Sequence, residues 1–205
     1  GLVGEDGVTH HGVFDMAAFG AVPGLTIAAP MNEPELRNMM YTALGSGHPF
    51  MIRYPRGHGE GLPWRGEKFE ALPVGRGRRL REGDDVALVS VGTVGNAAAR
   101  AAERAAAEGV NAAHYDLRFV KPLDEALLDE VGRKFRRVVT VEDGALRGGV
   151  GEAVAAFFND RGYDVRVHRL GIGDEWVEHG TPGQLYALCG YDEEGILRAL
   201  LDTRA

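Results

Sequence analysis

Short apolar segments alternate with helical ones throughout the second half of this sequence. Segments typical of buried strands lie at residues 86–91, 111–115, 137–141 and 165–170. Helical segments separate them at residues 96–108, 124–131 and 151–161, and two more helices open with the capping residues Thr181 and Asp192. Alternating strands and helices favour a mainly parallel sheet with helices on both faces. The sequence therefore predicts a complete three-layer α/β/α domain at residues 80–205.

The first 57 residues contain too few strands for a sheet of their own. Apolar runs predict strands only at residues 25–29 and 50–54, with Asn32 and Glu35 at the N-cap and N3 positions of a helix between them. Two strands do not form a stable independent sheet. We therefore expect residues 1–57 to be the C-terminal part of an α/β domain whose beginning lies outside this chain.

Glycine and proline residues interrupt the pattern between these two parts, which predicts a linker at residues 58–79. The sequence also opens with Gly1 instead of a methionine. This opening adds to the expectation that the chain is a piece of something longer.

Charge and composition narrow the possible partners. A net charge of −7 and a pI near 5.5 argue against general affinity for nucleic acid or anionic membrane. The single cysteine, Cys189, cannot form an intramolecular disulfide or a cysteine-rich metal site, which fits a reducing compartment. No apolar run approaches the roughly 20 residues of a membrane span. We expect a cytoplasmic protein.

The densest polar cluster is the glycine-containing run at residues 5–12, where Asp6 lies four residues before His10. Loops of this kind position acids and bases. A zinc site at His10 and His11 is poorly supported, because adjacent histidines on a loop diverge and no third ligand is evident. Asp6 and His10 are therefore candidate site residues, with no metal assigned to them.

A second candidate is Arg56, which follows the predicted strand at residues 50–54. Open parallel sheets bind ligands at the carboxyl ends of their strands, and the planar guanidinium makes paired bonds to phosphate. A surface ion pair is the alternative role. Glycine turns at residues 92–95 and 148–151 precede helices and could each hold an anion, but neither has the full dinucleotide fingerprint.

Several stretches of this sequence resemble one enzyme family. Residues 1–10, GLVGEDGVTH, resemble the active-site loop of the 1-deoxy-D-xylulose-5-phosphate synthase family, and residues 52–57, IRYPRG, resemble its phosphate-binding strand end. DLRFVKPLD at residues 116–124 and VEDG at residues 141–144 resemble turns of its C-terminal domain. The resemblance spans nearly the whole chain. Departures at Glu5, Val8 and Gly173 leave Asp6 and His10 intact.

The resemblance implies a thiamine-diphosphate enzyme of the transketolase type. Residues 1–57 would end its pyrimidine-binding domain, and residues 80–205 would form its transketolase C-terminal domain. The implied enzyme is a homodimer that uses Mg²⁺ and joins decarboxylated pyruvate to D-glyceraldehyde 3-phosphate, on the route to isoprenoids, thiamine and pyridoxal phosphate. The family's metal motif and its activating glutamate are absent from this chain. We therefore expect the chain alone to be inactive and to bind the cofactor weakly, and no residue of it is assigned to cofactor or metal.

The resemblance also assigns roles to three side chains. Arg56 would hold the phosphate of the acceptor, and Asp6 would hydrogen-bond the acceptor hydroxyls. His10 would face the cofactor-bound intermediate as a donor or proton carrier, a task that suits imidazole near neutral pH.

Two alternatives remain open. One is a non-catalytic module that dimerises or docks a partner. The other is the small subunit of a split transketolase or the β chain of a 2-oxoacid dehydrogenase. The spacing of Asp6 and His10, together with YPRG at residues 54–57, favours the synthase over both.

Overall fold

A computed structural model describes residues 1–66 and 68–202. Its strands are β1 (Thr26–Ala28), β2 (Phe50–Ile52), β3 (Arg78–Arg81), β4 (Val86–Ser90), β5 (Ala112–Asp116), β6 (Phe119–Lys121), β7 (Arg137–Ala145) and β8 (Arg166–Ile172). Its helices are α1 (Asp15–Gly20), α2 (Glu33–Gly45), α3 (Val94–Ala107), α4 (Glu125–Lys134), α5 (Val150–Asp160), α6 (Pro182–Leu188) and α7 (Glu193–Leu201). No helix in these ranges is long and apolar enough to cross a membrane.

The larger sheet has the strand order β3-β5-β4-β7-β8 and is parallel except for its edge strand β3. All five residues of β4 are buried, and their side chains alternate between two cores. Val86 and Leu88 pack with residues of α3 and α7, whereas Ala87 and Val89 pack with residues of α4 and α5. The predicted three-layer α/β/α arrangement with a mainly parallel sheet is confirmed.

The smaller sheet has the order β2-β1-β6. Strands β1 and β2 are parallel, as the strand–helix–strand pattern predicts, and β6 from the second half of the chain pairs antiparallel with β1. Phe119 of β6 packs against Ala28 and Met39 in a small core, to which Leu72 also belongs. The sequence did not predict β6, because it lies within DLRFVKPLD at residues 116–124, a stretch that resembles a turn of the family's C-terminal domain. The boundaries 1–57, 58–79 and 80–205 stay a prediction.

A partly buried ionic contact ties α2 to the segment between β5 and β6. Asn32 caps α2 as predicted, accepting from the Glu35 backbone N–H at 3.2 Å. The Glu35 side chain, however, turns away and accepts two bonds from Arg118, at 2.7 and 2.8 Å. Arg118 has a φ of 59°, a strained value for a non-glycine residue, and its backbone N–H donates to Asp116 at 3.1 Å. The N-cap at Asn32 is therefore predictable from local sequence, whereas tertiary packing turns the side chain of the N3 residue, Glu35, toward Arg118.

Candidate active site

The loop at residues 1–12, which carries Asp6 and His10, is closed by its own backbone. The Gly1 nitrogen donates to the Gly12 carbonyl at 2.8 Å, and the Gly12 N–H donates back to Gly1 at 2.9 Å. A short 3-10 turn at Gly4–Asp6 places the Asp6 carboxylate on the outer side of the loop, where it is partly exposed. We call residues 1–12 the active-site loop.

Two glycines allow the active-site loop to lie against the segment before α6. Gly4 and Gly7 have φ values of 80° and 72°, which side-chain-bearing residues rarely adopt. A Cβ on Gly4 would lie 2.9 Å from Pro182 Cδ, and one on Gly7 would lie 3.2 Å from His179 Cβ. The loop therefore depends on glycine both for its turns and for its close approach to the C-terminal half of the chain.

A buried carboxylate anchors the beginning of the active-site loop. Asp143, in the carboxyl-terminal part of β7, accepts from the Leu2 backbone N–H at 3.0 Å and from the Tyr191 hydroxyl at 2.9 Å, both at the same oxygen. Leu2 and Tyr191 are each 1% exposed and pack in the same core. A buried hydrogen bond to a charged group contributes about 1.5 to 3 kcal/mol.

Arg53 joins the end of β2 to the same region. Its side chain is 9% exposed, donates to the Asp15 carboxylate at 3.0 Å and also donates to the Asp143 backbone carbonyl. Arg53 therefore has a structural environment. It fixes the chain three residues before Arg56.

Arg56 donates to the Asp6 carboxylate, so the two predicted substrate-binding residues meet. The Arg56 side chain is 66% exposed and that of Asp6 is 32% exposed. Arg56 also lines a cavity of about 460 Å³, together with Tyr54, Arg100 and Tyr186. The guanidinium thus stands at an open surface with one carboxylate partner.

The two adjacent histidines have different partners. His10 is exposed, and its Nδ1 lies 3.0 Å from the Thr9 hydroxyl. His11 accepts from the Val3 backbone N–H at Nδ1, at 3.1 Å, which places its proton on Nε2, 3.4 Å from the Glu178 carbonyl. His10 is therefore available to a ligand, whereas His11 braces the active-site loop.

One of the two glycine turns considered for anion binding is filled by the chain itself. The Glu142 carboxylate accepts from the Val150 and Gly151 N–H groups at the start of α5, at 2.9 and 2.8 Å. Burial raises the pKa of Glu142, although these two bonds oppose the shift. Two N–H donors at this helix N-terminus, those of Val150 and Gly151, are therefore already paired with an internal carboxylate.

Two known family models match this chain and show the family to which it belongs. Residues 75–196, more than half of the chain, match the family model described as the transketolase C-terminal domain. The chain belongs to the transketolase family. Residues 1–60 of this transketolase-family chain match a second model, that of the transketolase pyrimidine-binding domain.

Individual relatives agree with this assignment. The transketolase-family chain is 55% identical over 206 aligned residues to the 1-deoxy-D-xylulose-5-phosphate synthase of Bacteroides fragilis, and 55% identical over 203 to that of Bacteroides thetaiotaomicron. These alignments cover 100% and 98% of this chain but only 32% and 31% of the relatives, in their C-terminal part. The chain thus spans about a third of the length of the curated relatives that it matches.

A solved structure described as "split gene transketolase, inactive beta4 tetramer" superposes with a TM-score of 0.83 at 29% identity. The superposition covers 94% of this chain and 61% of that one. The fold class predicted from the sequence is confirmed by this likeness as well as by the two family models.

Among the site residues predicted from sequence, the structure brings Asp6 and Arg56 into contact and places His10 on the same loop as Asp6. Their roles toward substrate stay predictions. Sequence reasoning missed Asp143 and Tyr191 as partners of the loop. The stretch VEDG at residues 141–144, expected to be a turn, is part of strand β7 (Arg137–Ala145). No local pattern shows which distant backbone group a carboxylate will bind.

Proposed function

We propose that this chain is part of an enzyme that forms 1-deoxy-D-xylulose 5-phosphate from pyruvate and D-glyceraldehyde 3-phosphate. In this reaction pyruvate loses CO₂, and its former carbonyl carbon forms a bond to the aldehyde carbon of the acceptor. The names and 55% identity of the relatives support the proposal. The observation that carries it is the contact of Arg56 with Asp6, which gathers a phosphate-binding cation and a hydroxyl-binding carboxylate from distant parts of the chain.

The exposure of this pair makes it suitable for substrate binding. Ion pairs at the surface contribute only about 0 to 1 kcal/mol, because water screens them. A phosphate that arrives at Arg56 can form paired charge-assisted bonds, which are stronger than the single contact it replaces. Asp6 is then free to accept from the acceptor hydroxyls, as the resemblance implies.

His10 has the exposure that a proton carrier needs. Its neighbour His11 is occupied by Val3 and Glu178, so only His10 of the pair is free to meet a bound substrate. We assign to His10 the donation of a proton or hydrogen bond to the reacting oxygen during bond formation.

Thiamine diphosphate with a divalent metal is the cofactor that the family implies, and when bound it supplies the carbanion chemistry that the side chains lack. We propose that the ligands of its diphosphate and metal lie in the part of the enzyme outside this chain, because the family's metal motif and activating glutamate are absent from this sequence. Within residues 1–66 and 68–202 the structure contains no group of three or more His, Cys, Asp or Glu residues that could hold a metal ion. No residue of this chain is therefore given a role toward the cofactor.

We further propose that the 205-residue chain is inactive alone and that the full-length enzyme is a cytoplasmic homodimeric transferase, which serves isoprenoid and thiamine biosynthesis. The solved split-gene transketolase, described as an inactive tetramer of one subunit type, supports inactivity of an isolated C-terminal part.

A second candidate, the small subunit of a split transketolase, is favoured by the TM-score of 0.83 to that structure. The two candidates differ in the donor substrate. The test is to incubate the full-length enzyme with D-glyceraldehyde 3-phosphate and either pyruvate or a ketose phosphate, and to identify the product by mass spectrometry. Release of CO₂ with formation of a five-carbon 1-deoxyketose phosphate supports the synthase, whereas product from the ketose donor alone would refute it.

A further inference from the structure

A buried carboxylate of the C-terminal half, Asp143, contacts the start of the active-site loop. Asp143 lies on β7, and Tyr191 lies in the turn between α6 and α7, yet both are linked to Leu2 through a single Asp143 oxygen. We propose that Asp143 and Tyr191 are positioning residues, which hold the active-site loop so that Asp6 and His10 face the substrate. The proposal rests on the function proposed above for Asp6 and His10.

The contact of Asp143 with Leu2 and Tyr191 is buried and directional. Asp143 is 3% exposed and Tyr191 is 1% exposed. A carboxylate in such a place needs partners for its lone pairs, because water cannot supply them. The Leu2 N–H and the Tyr191 hydroxyl are two of these partners, so the start of the loop is held at a defined point.

The protonation of Tyr191 favours the same arrangement. Burial, and then the charge of Asp143, raise the pKa of Tyr191 far above its ordinary value. The raised pKa keeps the phenol protonated, and therefore a hydrogen-bond donor, at neutral pH. Tyr186, which packs against Tyr191 with ring centroids 5.2 Å apart, has its pKa raised by the same two causes.

The anchor at Leu2 also affects Asp6 and His10 through the bonds within the loop. The loop is closed between Gly1 and Gly12, and His11 bonds to Val3 across it. These bonds join the two ends of the loop, so we expect a displacement at Leu2 to reach Asp6 and His10.

Further contacts place the loop against the same half of the chain. The Gly180 N–H lies 3.4 Å from the Gly4 carbonyl, and the His11 Nε2 lies 3.4 Å from the Glu178 carbonyl. Both distances are long for hydrogen bonds, so these two contacts hold the loop less firmly than the bond from Leu2 to Asp143 does. The Asp143 anchor is therefore the contact whose loss we expect to loosen the loop.

Tyr191→Phe is the variant that tests this inference, because it removes the hydroxyl and keeps the ring in the core. Tyr163→Phe is the matched control, since the Tyr163 hydroxyl also donates to an aspartate, Asp129, at 2.8 Å, but this contact joins α4 to the turn after α5. Exchange of amide hydrogens, followed by NMR in the 205-residue chain, measures loop opening without requiring activity.

We expect Tyr191→Phe to speed exchange at Val3, Gly7 and Gly12 about 5- to 50-fold relative to β4, and Tyr163→Phe to leave these three amides unchanged. Asp143→Asn, which removes the charge at nearly constant volume, should act in the same direction. Unchanged exchange of the loop in both Tyr191→Phe and Asp143→Asn would overturn the inference. Equal acceleration in the loop and in β4 would also overturn it, because the residues would then support global stability alone.

A second measurement, in the full-length enzyme, connects the loop to catalysis. We expect Tyr191→Phe to lower kcat/KM for D-glyceraldehyde 3-phosphate about 3- to 30-fold and to leave the KM for pyruvate unchanged. If the loop exchanges faster in Tyr191→Phe but the enzyme uses a different donor substrate, the proposed function is refuted and the anchoring role of Asp143 and Tyr191 stands. Wild-type kcat/KM combined with a faster-exchanging loop would refute the positioning role.

Discussion

The Arg56 guanidinium donates to the Asp6 carboxylate across 50 positions of sequence. The two residues belong to separate elements, one following β2 and the other in the 3-10 turn of the active-site loop. In the proposed function both residues bind the same acceptor, and in the structure the Arg56 cation is paired with the Asp6 carboxylate. A phosphate that binds Arg56 has to replace Asp6 as its partner. Because the ion pair is exposed, breaking it costs little free energy.

We predict that Arg56→Ala in the full-length enzyme weakens use of D-glyceraldehyde 3-phosphate by about 2 to 4 kcal/mol, roughly 30- to 1000-fold in kcat/KM. The phosphate would lose its main counter-charge, and pyruvate binding should change little. Arg56→Lys should recover only part of the loss, because an ammonium lacks the two-bond fork. Steady-state kinetics with D-glyceraldehyde, which has no phosphate, is the control. Equal slowing of both aldehydes would show that Arg56 only supports the end of β2.

His10 and His11 form a natural matched pair for a second prediction. We expect His10→Gln to lower kcat of the full-length enzyme by about 10²- to 10⁴-fold with little change in stability, because His10 is exposed and acts on the substrate. His11→Gln should instead speed amide exchange at Val3, since it alters the brace between Val3 and Glu178. Steady-state kinetics, amide exchange and thermal unfolding of both variants check this. A His10→Gln enzyme with normal kcat would remove His10 from the mechanism.

A third prediction concerns the 205-residue chain itself. It should form no 1-deoxy-D-xylulose 5-phosphate and should bind thiamine diphosphate no more tightly than roughly millimolar, with or without Mg²⁺. The reason is that the proposed cofactor ligands lie outside the chain. Isothermal titration calorimetry measures this directly. Micromolar binding that depends on Mg²⁺ would mean that the cofactor site has been misplaced.

His114 gives a prediction about pH and stability. It is fully buried on β5, its Nε2 lies 2.8 Å from the Ser90 hydroxyl, and its Nδ1 has no hydrogen-bond partner among the described residues. Burial, and then the charge of Arg78, lower the pKa of His114 from 6.5 to about 4. The unfolded chain therefore binds the proton more readily, so this residue stabilises the fold above about pH 6.5 and the contribution is lost as pH falls toward 4.

The expected loss is about 2 to 4 kcal/mol between pH 7 and pH 4, measured as the difference between wild type and His114→Gln in urea unfolding. The difference is needed because the pKa of Asp116 and that of Glu142 are raised by burial, which works in the opposite direction. His58→Gln, in an exposed loop, is the control and should keep the wild-type pH dependence. The same pH dependence in His114→Gln as in wild type would exclude His114 as the source.

The amino-acid sequence by itself determined the elements whose causes are local. The apolar run of β4, the alanine-rich α3 and the caps at Asn32, Thr181 and Asp192 are all confirmed. Each depends on residues within one or two turns of the chain, and strand–helix alternation then leaves few arrangements for the larger sheet. The sequence motifs likewise identified Asp6, His10 and Arg56 as candidates.

Only the tertiary structure decided which distant groups became partners. It paired β6 with β1, turned Glu35 from its own helix to Arg118, and placed Asp143 beneath Leu2. A carboxylate can accept from any donor within about 3 Å, and nothing in its neighbours along the chain says which donor that will be. The choice is made when separately formed elements pack, because packing fixes the few positions at which a buried charge can be satisfied.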